Sequence, residues 1–322
     1  MGAFLFVLFI NDISSVIHND SNIWLYADDM KVARVINSPN DHTKLQDDIN
    51  ALLHWSIQNK MKFHPRKCKV LTSTLKKTPS QYVYYMSDSP LDKSKAEKDL
   101  GIIVSDNFNW NKHQNLILGK AKQKLGLLRR SCSFSKVIQS RKVLYLAIVR
   151  SQFEHCSQVW RPTNATQTNK FKSVQRRGIK WVFGEDFNRY SEKEYLDKLK
   201  TLNILPIDLN FDLNDLILFR HIVFGTSFIG KPEYLLKNDN TNDTNDTYFS
   251  RQTRHFNDSD KLKFKCKITP KVGAFSNSFF HRTYLKWNSL PKSIREAESP
   301  DAFKTKLKQH LWIIAEELLS SN

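Results

Sequence analysis

Two adjacent carboxylates, Asp28 and Asp29, interrupt an apolar stretch running from Asn22 to Lys31. Neighbouring aspartates repel one another, so such a pair sits where solvent or a bound cation offsets the cost. A hard cation such as Mg²⁺ takes one or two protein carboxylates together with substrate phosphates, and a tight turn holds them rigidly. The flanking residues suit that geometry. Ile23, Trp24, Leu25 and Tyr26 read as one strand, Val32 and Val35 as a second, and the carboxylates as the tip of a hairpin. A plain polar turn is the alternative, because Asp is common in turns of every kind.

The charge of the chain supplies context. Its 322 residues carry a formal net charge of +18 and a pI near 9.6, with 40% hydrophobic and 12% aromatic residues. That composition supports a folded core and argues against wholesale disorder. The excess suggests a polyanionic partner, nucleic acid ahead of an acidic membrane surface. Between Asn107 and Gly184 a single acid, Glu154, stands against sixteen Lys and Arg. On the apolar-striped helices of this stretch the candidate phosphate contacts are Lys120, Lys124, Arg129 and Arg130, then Arg176, Arg177 and Lys180. A helical bundle with Lys-rich exposed faces is the competing account.

The four cysteines, Cys68, Cys132, Cys156 and Cys266, lie far apart without zinc-finger spacing, and read as reduced thiols of an intracellular protein. Gly2 to Ile10 is strongly apolar but too short to span a bilayer, and lacks a basic leader and a cleavage site. No membrane partner is expected. Apolar on every side, this run reads as an element packed in an interior. Opening on core sequence suggests that the chain is one piece of a longer protein.

Positioning elements follow from periodicity. After Ser38-Pro39, the spacing of Leu45, Ile49, Leu52 and Trp55 predicts an amphipathic helix, Pro65 a turn and Val70-Leu71 a strand. Tyr82–Tyr85 and Leu100–Val104 read as further strands. From Asn111 the pattern turns helical, first with Leu118, Ala121, Leu125 and Leu128 on one face, then over Ser140–Gln152 and Lys170–Val182. Asn238 to Thr247 has no apolar residue and reads as a disordered insert. Beyond it Ser299-Pro300-Asp301 supplies an N-cap, a first-turn proline and a first-turn acid to a helix carrying Phe303, Leu307 and Leu311. This tail is expected to pack back on the helices before it.

Taken in order, these stretches resemble the reverse transcriptases of LINE-type non-LTR retrotransposons. Gly2–Phe6 with Phe9–Ile13 is similar to part of the family's glycine-containing template and nucleotide motif, and Tyr26-Ala27-Asp28-Asp29 matches its polymerase signature. Trp55, Lys62-Phe63 and Lys67-Cys68 resemble the next palm motif, and Leu100–Ile102 with Phe108, Trp110 and His113 the segment entering the thumb. Gln175-Arg176-Arg177 and Trp287-Asn288-Ser289-Leu290-Pro291 resemble the region beyond it.

The resemblance implies a magnesium-dependent RNA-directed DNA polymerase. Asp28 and Asp29 would hold Mg²⁺, Tyr26 and Ala27 would shape the floor beside the primer end, and Lys67 would steady the pyrophosphate of a dNTP; the partners would be RNA template and DNA primer. It implies an α+β fold: a partial palm over 1–110, with the hairpin and one helix, then a basic helical thumb-like region over 111–235. An Asn/Asp/Thr-rich insert over 236–260 and a helical tail over 261–322 complete it. Twenty-five residues precede Tyr26, too few for the earlier palm strand with the family's first catalytic Asp, or for the fingers. Asp12 matches a different family position. The chain alone is therefore expected to be catalytically incomplete, with apolar surface uncovered around Phe4–Phe9. A non-catalytic nucleic-acid-binding protein using the basic helices is the alternative.

Overall fold

The opening apolar run is helical in the computed structural model, which describes residues 2–78, 80–132, 137–185, 190–237 and 262–320. The chain divides into two compact units, Met1–Asn109 and Trp110–Asn322. In the first, α1 (Gly2–Ile10) leads through a 3₁₀ turn to β1 (Ser21–Tyr26) and β2 (Asp29–Arg34), an antiparallel pair closing with Tyr26 opposite Asp29. Alternation sorts the hairpin's faces. Ile23, Leu25, Met30 and Val32 pack on a small core of Ile10, Ile13, Leu52 and Trp55, while Trp24, Tyr26, Asp29 and Lys31 face outward. Of α1, Ile10 is buried in that core, Phe6 packs against it and the Phe9 ring lies 6.1 Å from that of Trp55. Phe4, Leu5, Val7, Leu8 and Phe9 are exposed, Phe4 by 68%, so the interior packing read from this run is wrong for most of it. The core covers one end of the helix, and no second layer of described residues covers the rest.

The next helix, α2 (Pro39–Gln58), begins where Ser38 and Pro39 dictate. The Asp41 carboxylate accepts from the Asn37 and Ser38 N–H groups and the Ser38 hydroxyl, which hold its pKa down to about 2. Short strands follow: β3 (Lys69–Leu71), β4 (Tyr85–Met86), β5 (Ser89–Pro90), β6 (Asp92–Ser94), β7 (Ala96–Asp99) and β8 (Ile102–Ser105). β3 pairs with β6 in parallel, β4 with β5 and β7 with β8 antiparallel. Among the described residues these remain separate two-stranded sheets. Two expected strands are shorter than their apolar runs. The Tyr82 ring stacks on His42 at 4.8 Å and the Tyr84 hydroxyl bonds His42 Nδ1 at 2.7 Å, tying this segment to α2. Leu100 and Gly101, with φ of 44° and 89°, form the turn between β7 and β8, where positive φ at both positions gives a type I′ hairpin.

The second unit is mainly helical: α3 (Asn111–Ser131), α4 (Ile138–Leu144), α5 (Ser157–Trp160), α6 (Ala165–Phe183), α7 (Glu192–Thr201) and α8 (Ile207–Val223). The helix expected over Ser140–Gln152 is wound unevenly, passing from α4 into a π turn at Tyr145–Val149 and a 3₁₀ turn at Arg150–Phe153. Gly178 of α6 faces that turn. A Cβ there would lie 2.1 Å from Tyr145 Cε2, so the ring occupies the space a side chain would fill.

β9 (Leu235–Lys237) pairs with β10 (Phe264–Cys266), so the first two residues of the expected insert belong to a strand; 238–261 lie outside the described residues. The tail comprises α9 (Gly273–Ser276), α10 (Phe279–Ser289), α11 (Lys292–Arg295) and α12 (Pro300–Ser320). It packs back as expected. Phe303, Leu307 and Leu311 are buried in one core with Trp287 of α10 and Leu216 and Phe219 of α8, and the Ser299 hydroxyl accepts from Ala302 N–H at 3.1 Å.

Candidate functional site

At the hairpin tip, Ala27 has a φ of 52° while Asp28 does not share the positive sign. That positive φ holds a non-glycine residue in a region it rarely visits. Asp28 and Asp29 are both exposed, as is Tyr26 at 67%. The turn thus presents its carboxylates to solvent, as the sequence suggests.

The other acids of this neighbourhood have structural work. Asp12 accepts from Trp55 Nε1 at 3.1 Å, which explains its place without a metal. Asp20 pairs with Arg34 at 3.1 Å, and Lys31 on the hairpin's outer face pairs with Asp99. Asp48 is buried beneath the start of β1, accepting from the His18 N–H at 2.7 Å and the Ser21 hydroxyl at 2.5 Å, with His18 Nδ1 at 2.6 Å. Among the described residues no group of three His, Cys, Asp or Glu could hold a metal ion. Two solvent-facing carboxylates do not make the oxygen cage that a pair of bridging Mg²⁺ ions needs, so the donor set here does not fit that cofactor. Lys67 lies in a 3₁₀ turn (Pro65–Lys67), exposed, its side chain bonded to no described residue.

The basic residues divide into two groups. Arg176 forms a bidentate pair with Glu192, both contacts at 2.6 Å, and its guanidinium lies 4.4 Å from the Tyr195 ring centre. Lys180 lies over Tyr190, and Arg129 Nη2 donates to the Arg177 carbonyl at 3.4 Å. Lys172 pairs with Asp208, and Arg161 with Asp212 and Asp215. The acids missing from Asn107–Gly184 are therefore supplied by α7 and α8. By contrast, Lys120, Lys124, Arg130 and Arg177 have no side-chain partner among the described residues, nor do Lys112, Lys122 and Lys170. Five of these seven lie on α3. Charge is also uneven between the units: residues 1–109 hold 13 Lys and Arg against 12 Asp and Glu, so seventeen of the eighteen excess charges belong to the second unit.

Several residues of the quoted motifs hold the fold. The buried Gln175 amide donates to the Leu205 carbonyl and accepts from Ile207 N–H, both at 2.8 Å, bridging the break at Pro206 where no N–H exists. Trp287 is fully buried and donates to the Leu262 carbonyl at 2.7 Å; Asn288 pairs with both backbone groups of Phe264, extending the hydrogen bonding of β10. Arg295 reaches back to the Leu290 carbonyl at 2.6 Å and the Asn288 carbonyl at 3.0 Å, satisfying the end of α10. Glu154, the lone acid of the basic stretch, accepts from Asn214 at 2.7 Å and Asn210 at 3.1 Å. A clasp that sequence reasoning missed fastens the tail. Arg282 of α10 pairs with the buried Asp215 at 2.9 Å and Lys286 with Asp212 at 2.5 Å, beside Arg161.

Among the described residues no helix is long and apolar enough to cross a membrane. The chain matches no family model, no curated protein and no solved structure.

Proposed function

We propose that this chain is the palm and thumb portion of a LINE-type reverse transcriptase, incomplete as a polymerase alone, and that it retains sequence-independent binding to nucleic-acid backbone through its second unit. The observation that carries the binding half is the set of seven cations on α3 and α6 without a side-chain partner among the described residues, in the unit that holds nearly all the excess charge. Paired cations such as Arg176 have spent their charge inside the protein. Free lysines on a helix remain available to displace counterions from phosphates. The polymerase half rests on the Tyr26–Asp29 hairpin and on the order of the motifs. Its incompleteness rests on the donor set, since Asp12, Asp20 and Asp48 are engaged elsewhere.

Two measurements test this reading. A primed RNA template with dNTPs and Mg²⁺ should show no incorporation above background; robust extension abolished by Asp28→Ala would overturn the claim of incompleteness. Filter binding to duplex should weaken steeply with salt. Five phosphate contacts from α3 would cost about 500-fold in affinity between about 50 and 200 mM salt. A flat response would sink the binding half and leave the polymerase half to the extension assay.

A further inference from the structure

In the first unit, His42 of α2 stands between two hydroxyls. Its Nε2 lies 2.7 Å from Ser80 Oγ and its Nδ1 2.7 Å from Tyr84 Oη. The ring is held on a third side by Tyr82, which stacks on it at 4.8 Å with 6° between the planes. His42 and Tyr84 are buried, at 9% and 5% exposure, whereas Ser80 is exposed. A solvent-facing hydroxyl thus meets an imidazole whose far nitrogen and face are both fixed. Burial and the neighbouring Tyr82 push the Tyr84 phenol up to about 12, so at neutral pH it meets the ring as a neutral group. None of the three residues belongs to the stretches that resemble a polymerase.

We propose that Ser80 is a nucleophile with His42 as its general base and Tyr84 as the positioning residue, and that its substrate class is an activated carboxylic ester. A base within hydrogen-bond reach of a hydroxyl, itself oriented by a third group, is the arrangement that makes serine reactive. The neutral imidazole carries one ring proton for its two hydrogen bonds. With Nδ1–H donating to the Tyr84 oxygen, Nε2 accepts from Ser80. Attack then forms a bond from Oγ to the acyl carbon while the Oγ proton moves to Nε2. The ester C–O bond breaks, its electron pair departs with the alkoxide, and the acyl group stays on Ser80. The proton on His42 passes to that alkoxide and restores the neutral ring. An ester with a good leaving group needs no donor beyond this pair.

A fluorophosphonate probe on the full chain tests this, since attack of Oγ on phosphorus forms a P–O bond, expels fluoride and gives His42 the same proton. Peptide mapping should place the phosphonyl group on Ser80 and not on the exposed Ser73, and Ser80→Ala should abolish it. His42→Gln should slow labelling about 100-fold, the loss expected of a general base. Tyr84→Phe keeps the ring, and should lower the limiting rate of labelling while the half-saturating probe concentration stays the same. A shift in half-saturation alone would overturn the positioning role. A parent chain unlabelled at Ser80, or labelled equally at Ser73, overturns the proposal without any variant. So does labelling of His42→Gln at the parent rate, which would leave these hydrogen bonds as a structural tie between α2 and the segment after β3.

Discussion

Gly178 shows how a single position sets the local structure around it. A side chain there would enter the Tyr145 ring, and the neighbouring helix departs from regular winding where that ring sits. Gly178→Ala should cost about 1–3 kcal/mol by overpacking, read as a lower midpoint in urea denaturation. An unaffected midpoint would mean that the ring moves freely aside. The sequence held a hint of this. A glycine inside a helical pattern loses stability against alanine, so its presence asks for a packing reason. Gln175-Arg176-Arg177 shows the opposite difficulty, because residue type alone ranks all three as polar surface. Gln175 turns out to be buried beneath Pro206 and Arg176 is matched to Glu192, and both partners lie beyond the reach of local pattern. Asp28 and Asp29 were legible at the tip because their two flanking strands carry a short-range signal.

At the level of elements, Asp48 is the joint between α2 and the hairpin. Burial acts to raise its pKa, but hydrogen bonds from Ser21 and His18 and the His18 charge outweigh that, so the folded value lies below 3.8. The stabilisation is therefore complete above the unfolded pKa and disappears as pH falls through the lower folded value. Chemical denaturation between about pH 5 and pH 2 should show this as an acid limb, and Asp48→Asn should flatten that limb while lowering stability at neutral pH. An acid limb of equal slope in the variant would assign it to other carboxylates. The helices with clear apolar periodicity, α2, α3, α6 and α12, could be read from sequence because each buries one face. The uneven helix around Tyr145 could not, since the glycine that its ring packs against lies 33 residues away at Gly178. The expected strands are too long because an apolar run records burial, not pairing; the Tyr82 and Tyr84 side chains are held by His42, and Tyr84 adds one backbone bond, accepting from the Leu91 N–H at 2.8 Å.

Across the whole molecule, the α+β class was legible, and so was the place where charge accumulates. The acids that α7 and α8 fold back onto the basic stretch were not, because pairing across a bundle leaves no trace in local composition. A comparison of variants separates the cations of the basic second unit from those of the nearly neutral first. Lys120→Gln, Lys122→Gln and Lys124→Gln together should reduce the salt slope of nucleic-acid binding by roughly 2 to 3, whereas Lys67→Gln, in the nearly neutral first unit, should leave it unchanged. Equal effects from both would mean that the charge asymmetry does not direct binding. The way the tail is fastened carries a different consequence, for synthesis. The core that contains α8 is finished by Trp287, Phe303, Leu307 and Leu311, and its ionic clasp by Arg282 and Lys286. A ribosome must therefore translate roughly a hundred residues past α8 before the apolar face of that helix can be sealed, several seconds at ordinary elongation rates. Until those last helices leave the exit tunnel, nascent chains expose that face to chaperones and to one another.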